Sequence, residues 1–228
     1  MSLPVLLHAP HRVLFAIGTV QVLAAMAWWA AALAGGAPAL PWPPSWVHGA
    51  WMVFGVFPPF MFGFLMTAMP RWQGLAPVAP RAFLASAALL AAGWTLFAAS
   101  LAWPVLAGAA WLLILAGSLA GTAMLARVAW APEPDALHAR LVVAALAIGA
   151  AAVCAGAGAL VFGISVAMPW ALALGLWGCV LPVFVTVAHR MIPFFTGSVV
   201  PHYEVYRPLW ALHLLLAGSF AHGVLEAA

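Results

Sequence analysis

Charged side chains are scarce in this sequence of 228 residues: they make up 5% of it, and lysine is absent. A soluble domain carries about 25% charged residues, because these side chains cover its surface. With 68% hydrophobic residues and a mean hydropathy of +1.14, this chain cannot cover itself with polar surface. The scarcity excludes a soluble protein and predicts an integral membrane protein. The few arginines are also too sparse for a nucleic-acid-binding patch, so no nucleic acid is expected as a partner.

Cysteine is equally scarce. The two thiols, Cys154 and Cys179, fall inside apolar runs, where cysteine behaves as a small hydrophobic residue. This placement excludes a disulfide framework and a cysteine-based metal motif. No basic residue precedes the first apolar run until Arg12, so we interpret that run as a retained helix rather than a cleaved signal peptide.

Long apolar runs dominate what is present. A membrane-spanning helix needs about 20 apolar residues, and seven runs meet that test, separated by connections rich in glycine and proline. Pro58 and Pro59 lie in the middle of the second run and predict a kink there. The sequence thus predicts an all-α transmembrane bundle in a single membrane domain, 1–228, with helices over residues 13–33, 46–69, 82–101, 105–127, 137–163, 169–191 and 208–225.

The arginines predict how the helices are oriented in the membrane. If the N-terminus lies on one side, every arginine falls on that side, and the connections on the other side (34–44, 103–104 and 164–168) contain no charge. Basic connections face the cytoplasm. We therefore expect the N-terminus inside and the C-terminus outside, with these residues at the cytoplasmic end: Arg12, Arg71, Arg81, Arg127, Arg140, Arg190 and Arg207.

The acids lie outside the predicted spans, in connections or near the C-terminus: Glu133, Asp135, Glu204 and Glu226. Proton pumps and ion-driven carriers usually place ionisable groups at membrane depth, because those groups carry the coupling. The pattern argues against both classes and leaves a passive channel open.

Histidine is then the side chain in the spans that can ligate a metal or a haem iron. Of the eight histidines, we expect His48 and His222 near the outer face and the others near the inner face. A low-spin haem takes two axial ligands from different elements at one depth. The candidate pairs are His48 with His222, and His189 with His213 or His11. His213 and His222 cannot serve one site, because nine residues of helix separate them by about 13 Å and turn them to opposite faces.

His138 receives a different interpretation. It stands beside Glu133 and Asp135 in a predicted connection, so we expect a solvated loop histidine without a functional role. His48 and His189 are favoured as ligands, because each stands within a cluster of unusual residues.

Three segments together resemble the NnrS family. Residues 47–55 read Val-His-Gly-Ala-Trp-Met-Val-Phe-Gly, and residues 63–74 read Gly-Phe-Leu-Met-Thr-Ala-Met-Pro-Arg-Trp-Gln-Gly. Residues 189–196 read His-Arg-Met-Ile-Pro-Phe-Phe-Thr, and the order and separation of the segments also fit. The family comprises bacterial inner-membrane proteins linked to nitric oxide metabolism and nitrosative stress, which carry haem and copper.

The sequence departs from the family pattern at one important place. The usual second-helix motif is Trp-His-x-His-Glu, and of its ligands this chain keeps His48 alone. Ala50 replaces the second histidine and Trp51 replaces the glutamate, so a copper site built from both histidines is incomplete. The chain is also shorter than a usual member, from which we expect a short paralogue or a subunit completed by another chain.

The resemblance implies a haem b protein in the bacterial inner membrane. Its iron is expected to be bound by His48 or His189 with a partner from the seventh helix, and its reaction to involve a small diatomic ligand or electron transfer. Arg71 and Arg190 are candidates to pair with haem propionates or lipid headgroups, because arginine offers a two-pronged donor to carboxylates.

Two other functions stay open at this stage. One is a non-catalytic subunit that holds a larger redox complex or a homo-oligomer together, as the glycine- and alanine-rich fifth helix suggests. The other is a passive permease whose path is lined by the kinked second helix.

Overall fold

The computed structural model describes residues 7–36, 40–131 and 136–228. Within these ranges the chain forms seven helices long and apolar enough to cross a membrane, which confirms the predicted all-α, seven-helix architecture. The described residues contain no strand. We number the helices α1 to α7 in chain order: Pro10–Leu33, Pro44–Trp72, Pro80–Ser100, Pro104–Ala129, Leu137–Leu160, Ala167–Val199 and Leu209–Ala227.

Proline and glycine set many of the helix boundaries. A proline at the first helical position has a suitable fixed φ, and the first turn leaves that position's N–H unpaired in any case. Such prolines begin four helices: Pro10, Pro44, Pro80 and Pro104. Beyond the ends of α1, α2 and α5 the backbone turns through the left-handed region, which glycine adopts without strain: Gly35 (φ 74°), Gly74 (φ 63°) and Gly163 (φ 70°).

The predicted kink in α2 takes the form of a widened turn. Trp51–Val56 is π-helical and directly precedes the turn that holds Pro58 and Pro59. A proline ring clashes with the carbonyl one turn earlier, and a π-helical turn gives that carbonyl more room. α6 repeats the arrangement, with a π-helical Leu176–Val180 before Pro182.

These two widened turns bring α2 and α6 into contact. A Cβ atom at Gly175 would lie 2.5 Å from the Cγ1 atom of Val53, so only glycine fits where the helices touch. Farther along both helices, side chains rather than backbones line the space between them. α6 therefore contacts the π-helical segment of α2 at Gly175, directly before its own π-helical segment, and a groove lies beyond this contact.

α6 extends past its expected end at residue 191. It passes through Pro193 and ends at Val199, after which Val200 is extended. A proline removes one N–H from the helix, but the following turns still form, and the Thr196 hydroxyl donates a hydrogen bond to the Ile192 carbonyl at 2.9 Å. The segment 189–196 is thus part of α6 and does not follow it.

The interior divides into two apolar clusters along the bundle. One cluster is rich in aromatic side chains and includes Trp51, Trp94 and Trp111. The other lies nearer the end at which α1, α3 and α5 begin, here called the arginine end, and includes Met66 and Phe83. In the second cluster, two glycines of α4 let helices approach: a Cβ atom would lie 2.9 Å from Leu90 at Gly117 and 2.8 Å from Phe62 at Gly121.

Candidate functional site

A pair of histidines joins three helices at the arginine end. Nε2 of His138, in the first turn of α5, lies 3.0 Å from Nδ1 of His189 on α6. The two rings stack with centroids 5.2 Å apart and planes 25° from parallel. Nε2 of His189 lies 3.1 Å from the carbonyl oxygen of Pro208, directly before α7. The pair therefore connects α5, α6 and the start of α7.

The carbonyl determines which histidine donates. A carbonyl oxygen only accepts, so Nε2 of a neutral His189 must carry the proton and its Nδ1 must accept. Nε2 of His138 then donates to it. With both rings neutral, the arrangement holds each imidazole in one tautomer, and it occupies both nitrogens of His189.

The expectation for His138 was wrong. It is not a solvated loop residue, because α5 begins at Leu137 and His138 is only 4% exposed. A signal for this was present in the sequence: His138, Val142 and Ala145 follow helical spacing, and all three are buried on one face of α5. The neighbouring Glu133 and Asp135 lie outside the described residues.

His48 has a different environment, near the opposite end of the bundle. Its ring stacks on Trp29 of α1, with centroids 4.3 Å apart and planes 15° from parallel. Its Nδ1 is buried and has no hydrogen-bond partner among the described residues. Stacking fixes the ring orientation while one nitrogen stays without a partner. His48 thus has an imidazole nitrogen available to bind something else.

Trp51, which replaces the glutamate of the family motif, has its own polar contact. Its indole Nε1 donates a hydrogen bond to Oε1 of Gln21 on α1, at 2.8 Å, and both side chains are buried. Its ring also packs parallel to that of Trp94, with centroids 6.0 Å apart. The position that would hold a carboxylate therefore holds a structural contact between α1, α2 and α3.

The other candidate histidines have separate neighbours. Nδ1 of His11 lies 3.2 Å from the Thr67 hydroxyl on α2. The His222 ring lies 4.1 Å from the Trp177 ring, and its Nε2 lies 3.8 Å from Glu226. His213 is exposed on α7. Among the described residues, no direct contact joins the members of an expected pair: His48 with His222, or His189 with His213 or His11.

A cleft with several arginines opens at the arginine end between α2, α6 and the segment before α7. Its volume is about 340 Å³, and its lining contains no Asp or Glu among the described residues. The Arg190 guanidinium lies over the Trp72 ring, 5.2 Å from its centroid. We call this cleft the arginine cleft; its lining residues are Arg71, Trp72, Arg190, Met191, Phe194, Val205 and Arg207. Arg207 was not among the predicted site residues, although the charge pattern predicts it at the same membrane face.

An apolar groove lies farther down the same two helices. Its volume is about 460 Å³, and side chains of α2 and α6 form most of its walls, including Phe57, Phe64, Leu181, Phe184 and Val187. Every residue that lines it is apolar. The groove contains no histidine that could ligate an iron from its wall.

The histidine geometry can be tested against a haem. Two axial ligands must stand on opposite faces of the macrocycle, but His138 and His189 are in direct contact at 3.0 Å, which leaves no space for a porphyrin between them. His48 fits a single ligand, because its buried Nδ1 has no partner. Within residues 7–36, 40–131 and 136–228 no three His, Cys, Asp or Glu side chains group to hold a metal ion. A three-ligand copper site is therefore not formed by the described residues.

Comparison with known proteins adds one match. The family model described as NnrS protein matches residues 5–228, nearly the whole chain. No curated protein and no solved structure matches the chain significantly.

Proposed function

From its membership of the NnrS family, to which this chain belongs, we propose that the protein binds haem b in the bacterial inner membrane and takes part in nitric oxide metabolism. Haem, when bound, supplies an iron that exchanges one electron and binds diatomic ligands. The observation that carries the proposal is the buried, unpartnered Nδ1 of His48. A buried polar atom without a partner costs about 1–3 kcal/mol, a cost that a metal bond would remove.

His48 would bind the iron from α2. Its ring is held flat against Trp29, so the imidazole is already oriented before anything binds. Gly49, the next residue, leaves space for Leu172 of α6, since a Cβ atom there would lie 3.1 Å from that side chain. Stacking on Trp29 thus limits how far the His48 ring can turn.

His189 has a structural role in this proposal. Both of its nitrogens are occupied, one by His138 and one by the Pro208 carbonyl. Binding a metal through either nitrogen would break one of these contacts. We therefore assign the iron to His48 and the connection between α5, α6 and α7 to His189.

Copper is not part of the proposal. Ala50 supplies no ligand, and the Trp51 indole is hydrogen-bonded to Gln21. The residues that distinguish this chain from the family motif are thus buried, and Trp51 is packed and hydrogen-bonded where the motif would supply a further ligand.

An absorption spectrum of the purified protein, with haem supplied during expression, tests the proposal. We expect a Soret band that His48→Ala removes and that His189→Ala retains. His202→Asn is the matched control, because His202 is exposed and has φ of 60°, a conformation that asparagine tolerates. A band that survives His48→Ala but disappears in His189→Ala would move the ligand to α6. Absence of a band in every preparation would refute haem binding.

A further inference from the structure

The arginine cleft combines positive charge from three separate elements. Arg71 lies at the end of α2, Arg190 lies in α6, and Arg207 precedes α7. Arg71 and Arg207 are exposed, and their side chains have no hydrogen bond or ion pair with a described residue. Arg190 lies over Trp72 and makes a further interaction of its own, so it contributes charge to the cleft without being needed as a direct ligand. The cleft is thus suited to an anion held mainly by Arg71 and Arg207.

The apolar groove lies next to this cleft along the same helix pair. On α6, Val187 lines the groove and Arg190 lines the cleft, three residues or about 4.5 Å farther along. On α2, Leu65 lines the groove and Arg71 lines the cleft, about 9 Å farther along. A ligand could therefore place an anionic group against the arginines and an apolar chain between the two helices.

A phospholipid has this combination of groups. The groove lies between residues that are expected at membrane depth, where the surrounding material is hydrocarbon. Trp72, an aromatic residue at the end of its span, is typical of the membrane–water interface. Arginine binds phosphate through paired N–H donors, and basic pockets between membrane helices bind anionic headgroups. A small soluble anion would use the cleft alone and leave the groove without a role.

We propose that α2 and α6 bind one anionic phospholipid, with its phosphate on Arg71 and Arg207 and an acyl chain in the apolar groove. The site is separate from His48, so lipid binding does not depend on haem. Bound lipid would fill the space that opens between α2 and α6 beyond their contact at Gly175, and would connect the two helices at the end where their backbones do not touch.

Native mass spectrometry of the full chain tests this site. The protein is extracted in detergent and titrated with phosphatidylglycerol or with phosphatidylcholine of the same chains. We expect one phosphatidylglycerol to stay bound and phosphatidylcholine to bind weakly. In the double variant Arg71→Gln with Arg207→Gln, phosphatidylglycerol should bind about 30-fold more weakly, since each basic group near an anionic surface contributes about fivefold.

The matched control is Arg81→Gln with Arg127→Gln. Both arginines are exposed and expected at the same membrane face, but neither lines the cleft. Equal losses in the two double variants would mean that overall basic charge attracts the lipid, and would overturn a specific site. Circular dichroism of both double variants checks that the fold is retained, so that weaker binding reports on the arginines.

Three further outcomes would also overturn the proposal. Binding of glycerol 3-phosphate or inorganic phosphate as tight as that of phosphatidylglycerol would indicate a soluble anion site. A mass that corresponds to two copies of the chain without lipid would indicate that protein fills the groove. Loss of the Soret band in the Arg71 and Arg207 variant would assign these arginines to haem carboxylates. Failure of the His48 test alone leaves the lipid site intact, because the mass measurement does not depend on haem.

Discussion

The α3–α4 hairpin and the α6–α7 pair both join consecutive helices, but they are held together in different ways. In the hairpin the backbones approach closely: a Cβ atom at Gly93 would lie 2.9 Å from the backbone nitrogen of Ile114. The Ser86 hydroxyl also donates to the Gly117 carbonyl at 2.8 Å. In the α6–α7 pair the close approach is limited to one end of α7, where a Cβ atom at Gly223 would lie 2.8 Å from the Cβ atom of Trp177, whereas Gly218 has no neighbour within 4 Å.

Polar side chains hold α7 against α6 near its two ends. Toward the C-terminal end of α7, the Ser219 hydroxyl donates to the Trp177 carbonyl at 2.6 Å, and the Trp177 indole donates to Glu226. Before its start, His189 contacts the Pro208 carbonyl. Only 17% of the apolar window of α7 is buried, against 56% for α2, so α7 gains little from packing. Within a bilayer, apolar side chains are as well solvated by lipid as by protein. Close backbone contact therefore stabilises a pair of helices more than their apolar composition does.

The largest expected effect comes from the aromatic core that supports the hairpin. Trp94→Ala removes a side chain that is 0% exposed and should lower the free energy of unfolding by about 3–5 kcal/mol. Trp210→Ala, on α7 with 66% exposure, should change it little. Thermal unfolding in detergent compares the two. Similar losses would show that α7 is packed as tightly as α3.

A smaller effect is expected when one methyl group is added to each of the two helix pairs. Gly93→Ala places a Cβ atom against the backbone of α4 and should destabilise the protein by about 1–3 kcal/mol. Gly218→Ala adds the same atom in open space and should be neutral or stabilise by about 0.5–1 kcal/mol, because alanine favours the helix. The same unfolding measurement serves both variants. A loss in Gly218→Ala would mean that something covers this face of α7.

The smallest expected effect tests the histidine contact. His138→Ala or His189→Ala leaves one partner of a half-buried hydrogen bond unsatisfied and should cost about 1 kcal/mol. The double variant should cost less than the sum of the two, since residues in direct contact are coupled. A strictly additive result would show that the two rings do not stabilise each other. Of the two variants, only His189→Ala should also increase the solvent exposure of the connection between α6 and α7, because only His189 contacts the Pro208 carbonyl.

The sequence predicted the spans better than their ends. Seven apolar runs became seven helices because hydrocarbon length and backbone hydrogen bonding leave few alternatives in a membrane. The predicted end of α6 at residue 191 is too early, because the helix continues through Pro193 to Val199. A proline inside a span can be tolerated, and Pro70 lies within α2 in the same way.

The candidate site was predicted only in part. Arg71 and Arg190 were selected separately, and the structure brings them together with Arg207 in one cleft. That these arginines share one cleft agrees with the expectation that they lie at the same membrane face. Their location at the cytoplasmic face stays a prediction. His138 was dismissed, although it is the residue that contacts His189 across 51 positions of the chain.

The residues by themselves determined the number of helices, and they predict the depth of each polar side chain. Depth follows from counting, since each helical residue adds about 1.5 Å along the axis. Only the tertiary structure decided which residues meet: His138 with His189, His48 with Trp29, and three arginines in one cleft. The physical reason is that these helices are apolar on every side, so no polar face in the sequence indicates which way each helix turns toward its neighbours.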